Sequence, residues 1–236
     1  MQVTTDERRG ERMLTIRIDE PELDGELVGS LQAMLNGESI GENTQVVFLF
    51  EGGTRSAAGD FPSRLSGPAR DDMRYFARWE ELIASISRLR AKTLVGYRGA
   101  VGAAAVQVGL VVDLRLAAAG ARLRVGSLAW GHFPGTSLYW LPKFVGLGVA
   151  HRLLLLESEL EAKEAARLGL LDIVAADLGA SIQGVVERLR PITAEAACFA
   201  RRILEESYRH ERVGSLEQIK AARYKVDGSP GGSNLK

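Results

Sequence analysis

Apolar and polar residues alternate over residues 13–19, and that two-residue period predicts a strand with one buried face. Over residues 24–36 the pattern changes: Leu27, Leu31, Met34 and Leu35 recur at helical spacing. Residues 45–50 form a continuous apolar run, which predicts a strand covered on both faces. Glu51-Gly52-Gly53 breaks that run, and the polar stretch 60–70, with its Pro and Gly residues, reads as a loop. Met73, Phe76, Trp79, Leu82, Ile83 and Ile86 then share one face of a long helix predicted over 71–90. An apolar strand, 92–97, runs into a Gly/Ala-rich turn at 99–105; a helical run follows to Val112, and a second strand lies around 114–118. Helices are predicted over 136–147, 161–168 (ended by Gly169 as a cap), 178–189, 194–210 and, briefly, 215–224. The Gly/Ser tail at 227–236 is expected to be disordered. Strands and helices alternate with no internal repeat, so the pattern predicts an α/β fold in one domain, residues 1–226.

Composition narrows the function classes. The chain has 236 residues, long enough for one large α/β domain, and carries 30 Lys+Arg against 30 Asp+Glu. A formal charge of zero lacks the clustered basic excess of a nucleic-acid surface. One cysteine, Cys198, excludes an intrachain disulfide and fits a reducing compartment. Its apolar helical neighbours predict buried packing and not a nucleophile. Residues 1–12 are polar and charged, without a signal-peptide core, and no apolar run reaches membrane-spanning length. The expectation is a cytoplasmic protein with neither a membrane nor a nucleic-acid partner. His132, His151 and His210 are not spaced as a ligand set, so no metal is expected.

Candidate chemistry begins at the strand-to-helix junction, residues 97–105. Small side chains there let a ligand approach the backbone, and the first helical N–H groups have no intrahelical acceptor. Such a junction can receive a negative charge developing on oxygen. Tight helix–sheet packing uses the same residues.

The order of four motifs decides between these readings. They are Ser56-Ala57-Ala58-Gly59-Asp60, the stretch 99–113, Gly131-His132-Phe133-Pro134-Gly135, and the pair Gly148-Val149-Ala150-His151-Arg152-Leu153 with 162–172. In that order, over roughly residues 10–205, they resemble the crotonase (enoyl-CoA hydratase/isomerase) superfamily. The resemblance implies a crotonase-like spiral of β-β-α units with a C-terminal helical region, and assembly as a homotrimer or hexamer. It implies a substrate carried as a CoA or carrier-protein (phosphopantetheine) thioester, with no separate cofactor. It also implies two backbone N–H groups that hold the thioester oxygen. By position one is that of Ala104. The other comes from the 58–60 loop, one residue shorter than usual, where Gly59 is favoured over Asp60. Arg55, Ala57, Ala58 and Arg64 flank that loop as candidate contacts to the carrier.

Where hydratases of the superfamily carry two glutamates, the aligned residues here are Gln107 and Ser127. A carboxamide accepts no proton at physiological pH, and serine is a poor base without a partner. Two-glutamate hydration is therefore not expected. His132, Asp60 and Tyr139 are the alternative polar candidates, with Trp130 and Trp140 as wall residues and Arg98 pairing with Asp113 or another carboxylate. The stretch 133–141 further resembles divergent members that assist polyketide assembly, of the DpgB type. That likeness implies dehydration or double-bond isomerisation of an acyl thioester. A decarboxylase or thioester hydrolase on the same fold, and a non-catalytic thioester-binding partner of a synthase, stay open.

Overall fold

The protein's computed structural model describes residues 1–8, 10–19, 25–37, 40, 44–53, 69–126, 135–156 and 159–206. The first element is a strand, β1 (Gln2–Arg8), paired antiparallel with β2 (Glu11–Asp19). No strand is predicted over residues 2–8. The side chains described there are exposed or partly so, and a strand solvated on both faces shows no apolar alternation. In β2, by contrast, Leu14, Ile16 and Ile18 are buried every second residue.

Helix α1 (Gly25–Gly37) leads to β3 (Thr44–Glu51), and α2 (Ala69–Ser87) leads to β4 (Lys92–Arg98). The short strand β5 (Ala100–Val101) precedes α3 (Ala103–Gly109), which is followed by β6 (Leu114–Ala118) and β7 (Arg122–Arg124). Next come α4 (Ser137–Val145), α5 (Leu147–Leu155), β8 (Glu159–Glu161), α6 (Ala162–Arg167), β9 (Ile173–Ala175), α7 (Leu178–Leu189) and α8 (Ala194–Glu206). The main sheet runs β1-β2-β3-β4-β6-β9 and is parallel from β2 onward. A three-stranded sheet, β5-β7-β8, stands beside it.

The continuous apolar run of β3 is explained by two cores. Val46, Phe48 and Phe50 enter a large core shared with α1, α2 and α3. Val47 and Leu49 point the opposite way, into a smaller core with Leu94, Leu116 and the apolar face of α7. Both faces of the strand are therefore dry, as expected of a central parallel strand.

Several boundaries differ from the pattern reading. The helical run expected to reach Val112 ends as α3 at Gly109. Beyond it the Asp113 carboxylate accepts from the Thr93 N–H (2.7 Å) and hydroxyl (2.9 Å), fixing the chain for its turn into β6. The single helix expected over 136–147 is α4, and a separate helix, α5, follows after a break at Gly146. The strands of two or three residues, β5, β7, β8 and β9, are too short for periodicity to reveal. Cys198 is half-buried, not packed in a core: α8 lies on the surface, with Phe199, Ile203 and Leu204 exposed. The predicted helix over 215–224 and the tail at 227–236 lie outside the described residues.

Helix α8 is nevertheless anchored. Arg201 donates to Asp113 through Nε (2.9 Å) and Nη2 (2.8 Å), and to the carbonyls of Ser87, Leu89 and Ala91 at 2.7–3.1 Å. That geometry uses all five guanidinium protons.

Candidate active site

The junction from β4 to α3 is assembled by main-chain bonds. The Gly52 N–H donates to the Arg98 carbonyl (2.7 Å), and the Ala100 N–H to the Gly53 carbonyl (2.9 Å). The end of β3 and the start of β5 thereby lie against each other. Gly99 has φ +72°, and a Cβ there would collide with the Gly52 carbonyl, so both the conformation and the space require glycine. Farther along, Arg122 N–H donates to the Gly99 carbonyl at 2.9 Å, tying the same turn to β7.

Helix α3 starts from Gly102 in an extended conformation, and each of its residues is buried. Ala104, the position at which the resemblance to the superfamily places an oxyanion donor, is 9% exposed. It is the second residue of the helix, a position whose N–H has no intrahelical acceptor. Tyr97 of β4 donates its hydroxyl to the Ala105 carbonyl at 3.2 Å, clamping this first turn onto the sheet.

One turn beyond Ala104, on the same helix face, Gln107 is 0% exposed. The Trp79 indole Nε1–H of α2 donates to its Oε1 at 2.8 Å. An indole nitrogen only donates, so the chemistry of Trp79 assigns the carboxamide: oxygen toward the indole, amino group away. That amino group, Nε2, is sealed from solvent and has no hydrogen-bond partner among the described residues. A buried donor left unmet costs about 1–3 kcal/mol.

The next residue of α2, Glu80, reaches the start of α4. Its carboxylate accepts from the Thr136 N–H (3.1 Å) and hydroxyl (2.7 Å), placing negative charge at that helix start, where it is favoured. Gly135 lies between these groups at φ +48°. The point where its Cβ would sit is 2.6 Å from Glu80 Oε1 and 3.4 Å from Gln107 Oε1. Neighbouring residues of one helix, Trp79 and Glu80, thus hold α3 and the 135–136 turn respectively.

The sequence-predicted residues are partly brought together. Ala104 and Gln107 share one helix face beside Gly135. Tyr139 lies in the first turn of α4, 6% exposed, its ring edge-on to Trp140 and under the Lys143 ammonium at 4.3 Å. Arg98 pairs with Glu51 at 3.0 Å, not with Asp113, whose carboxylate serves Arg201 and Thr93. Gly59, Asp60, Ser127, His132, Arg55, Ala57, Ala58, Arg64 and Trp130 lie outside the described residues. Glu80 and Trp79 had no functional reading in the sequence. The nearest signal was a carboxylate beside a core-facing tryptophan, which by itself predicts only a solvated helix edge.

A cavity of about 570 Å³ lies elsewhere, between α4, α8 and the 110–115 turn, and neither Ala104 nor Gln107 lines it. Among the described residues no group of three or more His, Cys, Asp or Glu could hold a metal ion, and no helix is long and apolar enough to cross a membrane.

Comparison with known proteins agrees with this architecture. The sequence profile of the enoyl-CoA hydratase/isomerase family matches residues 10–230. An enoyl-CoA-hydratase of Amycolatopsis orientalis is 27% identical over 130 residues, 55% of this chain. The chain spans 60% of the length of that curated relative. The crystal structure of enoyl-CoA hydratase from Bacillus halodurans superposes with a TM-score of 0.74 at 19% identity, covering 96% of this chain and 95% of that one. DspI of Pseudomonas aeruginosa gives 0.74 at 17% identity, over 98% and 90%. An enoyl-CoA hydratase/isomerase from Cupriavidus metallidurans gives 0.72 at 23%, over 96% and 88%. At such identities the likeness is one of fold, and it bears out the crotonase-like architecture read from the motifs.

Proposed function

The chain belongs to the enoyl-CoA hydratase/isomerase family, and within it we propose an enzyme that stabilises the enolate of an acyl thioester without a two-carboxylate water site. The observation that carries this reading is Gln107. The resemblance aligns it with the first hydratase glutamate; it is wholly buried, and its oxygen is committed to Trp79. A carboxamide there orients but does not take a proton. What persists is main-chain stabilisation of charge on the thioester oxygen, by the N–H groups of Ala104 and, from the 58–60 loop, Gly59. One such donor contributes about 2.7–4 kcal/mol to a transition state.

The proposed reaction is dehydration or double-bond isomerisation of a CoA- or carrier-protein-bound acyl chain, in polyketide or other secondary metabolism. His132, Asp60 and Tyr139 are its candidate proton carriers. The same N–H pair would also serve a decarboxylase, for which loss of both glutamates is no handicap. Exposed Leu147, Leu155 and Leu156, on and just after α5, fit burial between copies in a homotrimer or hexamer.

The test incubates the protein with β-hydroxyacyl-, enoyl- and malonyl-CoA in deuterated water and identifies products by mass spectrometry. Deuterium at the α carbon with loss of water or a moved double bond is the expected result. Turnover that leaves the α carbon free of deuterium would overturn it. Carbon dioxide release would select the decarboxylase, and no turnover without an added synthase the binding role. Ala104→Pro removes one N–H; with the fold confirmed by circular dichroism, turnover should fall about 10²–10³-fold.

A further inference from the structure

Among the described residues, the carboxylates near α3 differ in what holds them. Asp113, beyond the end of the helix, is taken up by Arg201 and Thr93. Glu51, at the end of β3, is set between the guanidinium groups of Arg17 (3.3 Å) and Arg98 (3.0 Å). Glu80, on α2, is oriented by the Thr136 N–H and hydroxyl, two neutral donors that fix the direction of a carboxylate and leave its charge in place. The residue is half-buried, so solvent reaches it, whereas Gln107 is sealed. Glu80 Oε1 and Gln107 Oε1 nevertheless border the same glycine, since a Cβ built on Gly135 would meet the first at 2.6 Å and the second at 3.4 Å. The bond from Trp79, one residue earlier on α2, to Gln107 fixes how the two helices sit against each other at this level.

Resting on the thioester reading above, we propose that Glu80 is the proton carrier of this chain, a catalytic carboxylate supplied by α2 and not by position 107 or 127, and that its substrate is a β,γ-unsaturated acyl thioester. A single carboxylate serves a 1,3-proton shift without a second acid–base group. Glu80 takes a proton from the α carbon: the C–H bond breaks, a carboxyl O–H bond forms, and the electron pair moves onto the thioester oxygen, where main-chain N–H groups hold it. The pair then returns, the double bond shifts to the α,β position, and the same proton passes from the carboxyl group to the γ carbon. The carboxylate is restored, and neither water nor a further reactant is consumed. Dehydration asks in addition for an acid at the departing hydroxyl, and the sealed, oxygen-committed carboxamide of Gln107 does not supply one. One charged group beside one neutral group therefore suits isomerisation.

The experiment follows trans-3-hexenoyl-CoA in deuterated water with wild type, Glu80→Gln and Glu80→Ala, reading the moved double bond and deuterium at the α and γ carbons by NMR. Circular dichroism checks the fold, and calorimetric titration with unreactive butyryl-CoA separates binding from turnover. Wild type is expected to isomerise the probe. Glu80→Gln, which keeps the side chain's shape, should lose about 10²–10⁴-fold in turnover with its butyryl-CoA affinity unchanged. Added formate should restore turnover to Glu80→Ala in a saturable manner, because a small carboxylate then fills the vacated space; a residue that only caps α4 would give no such response. Undiminished turnover in folded Glu80→Gln would overturn the proposal, and so would a loss in folded Glu80→Ala that formate does not relieve. If Glu80→Ala does not fold, Glu80→Asp takes its place: turnover above that of Glu80→Gln is expected, and equal rates overturn the assignment. Wild type that dehydrates 3-hydroxyhexanoyl-CoA but leaves 3-hexenoyl-CoA untouched would overturn this inference alone. Inertness toward both would remove the thioester reading, and the role of Glu80 with it.

Discussion

Two buried polar clusters are built from similar materials to different ends. Around Arg201, every guanidinium proton has an acceptor: Asp113 takes two, and the carbonyls of Ser87, Leu89 and Ala91 take the other three. Around Gln107, the oxygen is held by Trp79 and the amino group is held by nothing described. The first cluster is closed, and its capacity is spent on fastening α8 to the α2–β4 connection. The second is open. A satisfied network adds rigidity, whereas an unsatisfied donor carries its desolvation cost into the folded state.

The contrast can be broken most forcefully at Arg201. Arg201→Met strips five bonds and leaves Asp113 short of its buried cation, so unfolding free energy in urea should drop by about 3–5 kcal/mol. The ranking of thioester affinities in protein that remains folded should not change. A changed ranking would mean that the two clusters are one system.

Gly135→Ala probes the open cluster from its other wall. A methyl group at φ +48° adds about 1–2 kcal/mol of backbone strain, and it meets Glu80 Oε1. The melting temperature should fall by several degrees, about 2–4 °C per kcal/mol for a chain of this size. Thioester affinity should weaken together with it, unlike the Arg201 case. Unchanged affinity would show that Glu80 and Gly135 belong to helix capping alone.

The smallest effect is expected at a pair outside both clusters. Arg167 donates to Glu164 at 2.7 and 2.8 Å, and this hydrogen bond holds the Glu164 carboxyl below its ordinary range. A carboxyl lowered in the folded state stabilises above the unfolded pKa and loses that contribution as pH falls through the folded one. Because the pair is exposed, Arg167→Gln should leave the melting temperature at pH 7 within error. The Glu164 titration followed by NMR should move upward. A measurable loss of stability at pH 7 would mean that exposed pairs carry more than is assigned to them here.

What could be read from the chain depended on burial and on range. β2, β3, α2 and α7 were legible because one or both faces are dry and the apolar period shows it. β1 was not, since a solvated edge strand leaves no such trace. The position of Gln107 came from motif order, and its lack of charge from its identity. Its pairing with Trp79, 28 residues away, is a tertiary contact that no local spacing encodes. Trp79 showed only as a member of an apolar helix face. Glu80 gave no functional signal, because its meaning depends on Thr136, 56 residues further on. The 58–60 and 127–132 candidates rest on the resemblance to the superfamily.

The stitching of residues 52–53 to 99–100 uses peptide groups alone. The distance between the end of β3 and the start of β5 is thus gauged by the backbone itself, with glycine required at 99 by its φ and by the space left to it. Side chains farther out in either segment can be exchanged without resetting that gauge. Descendants of this chain can therefore change the side chains around that junction while inheriting its spacing unchanged.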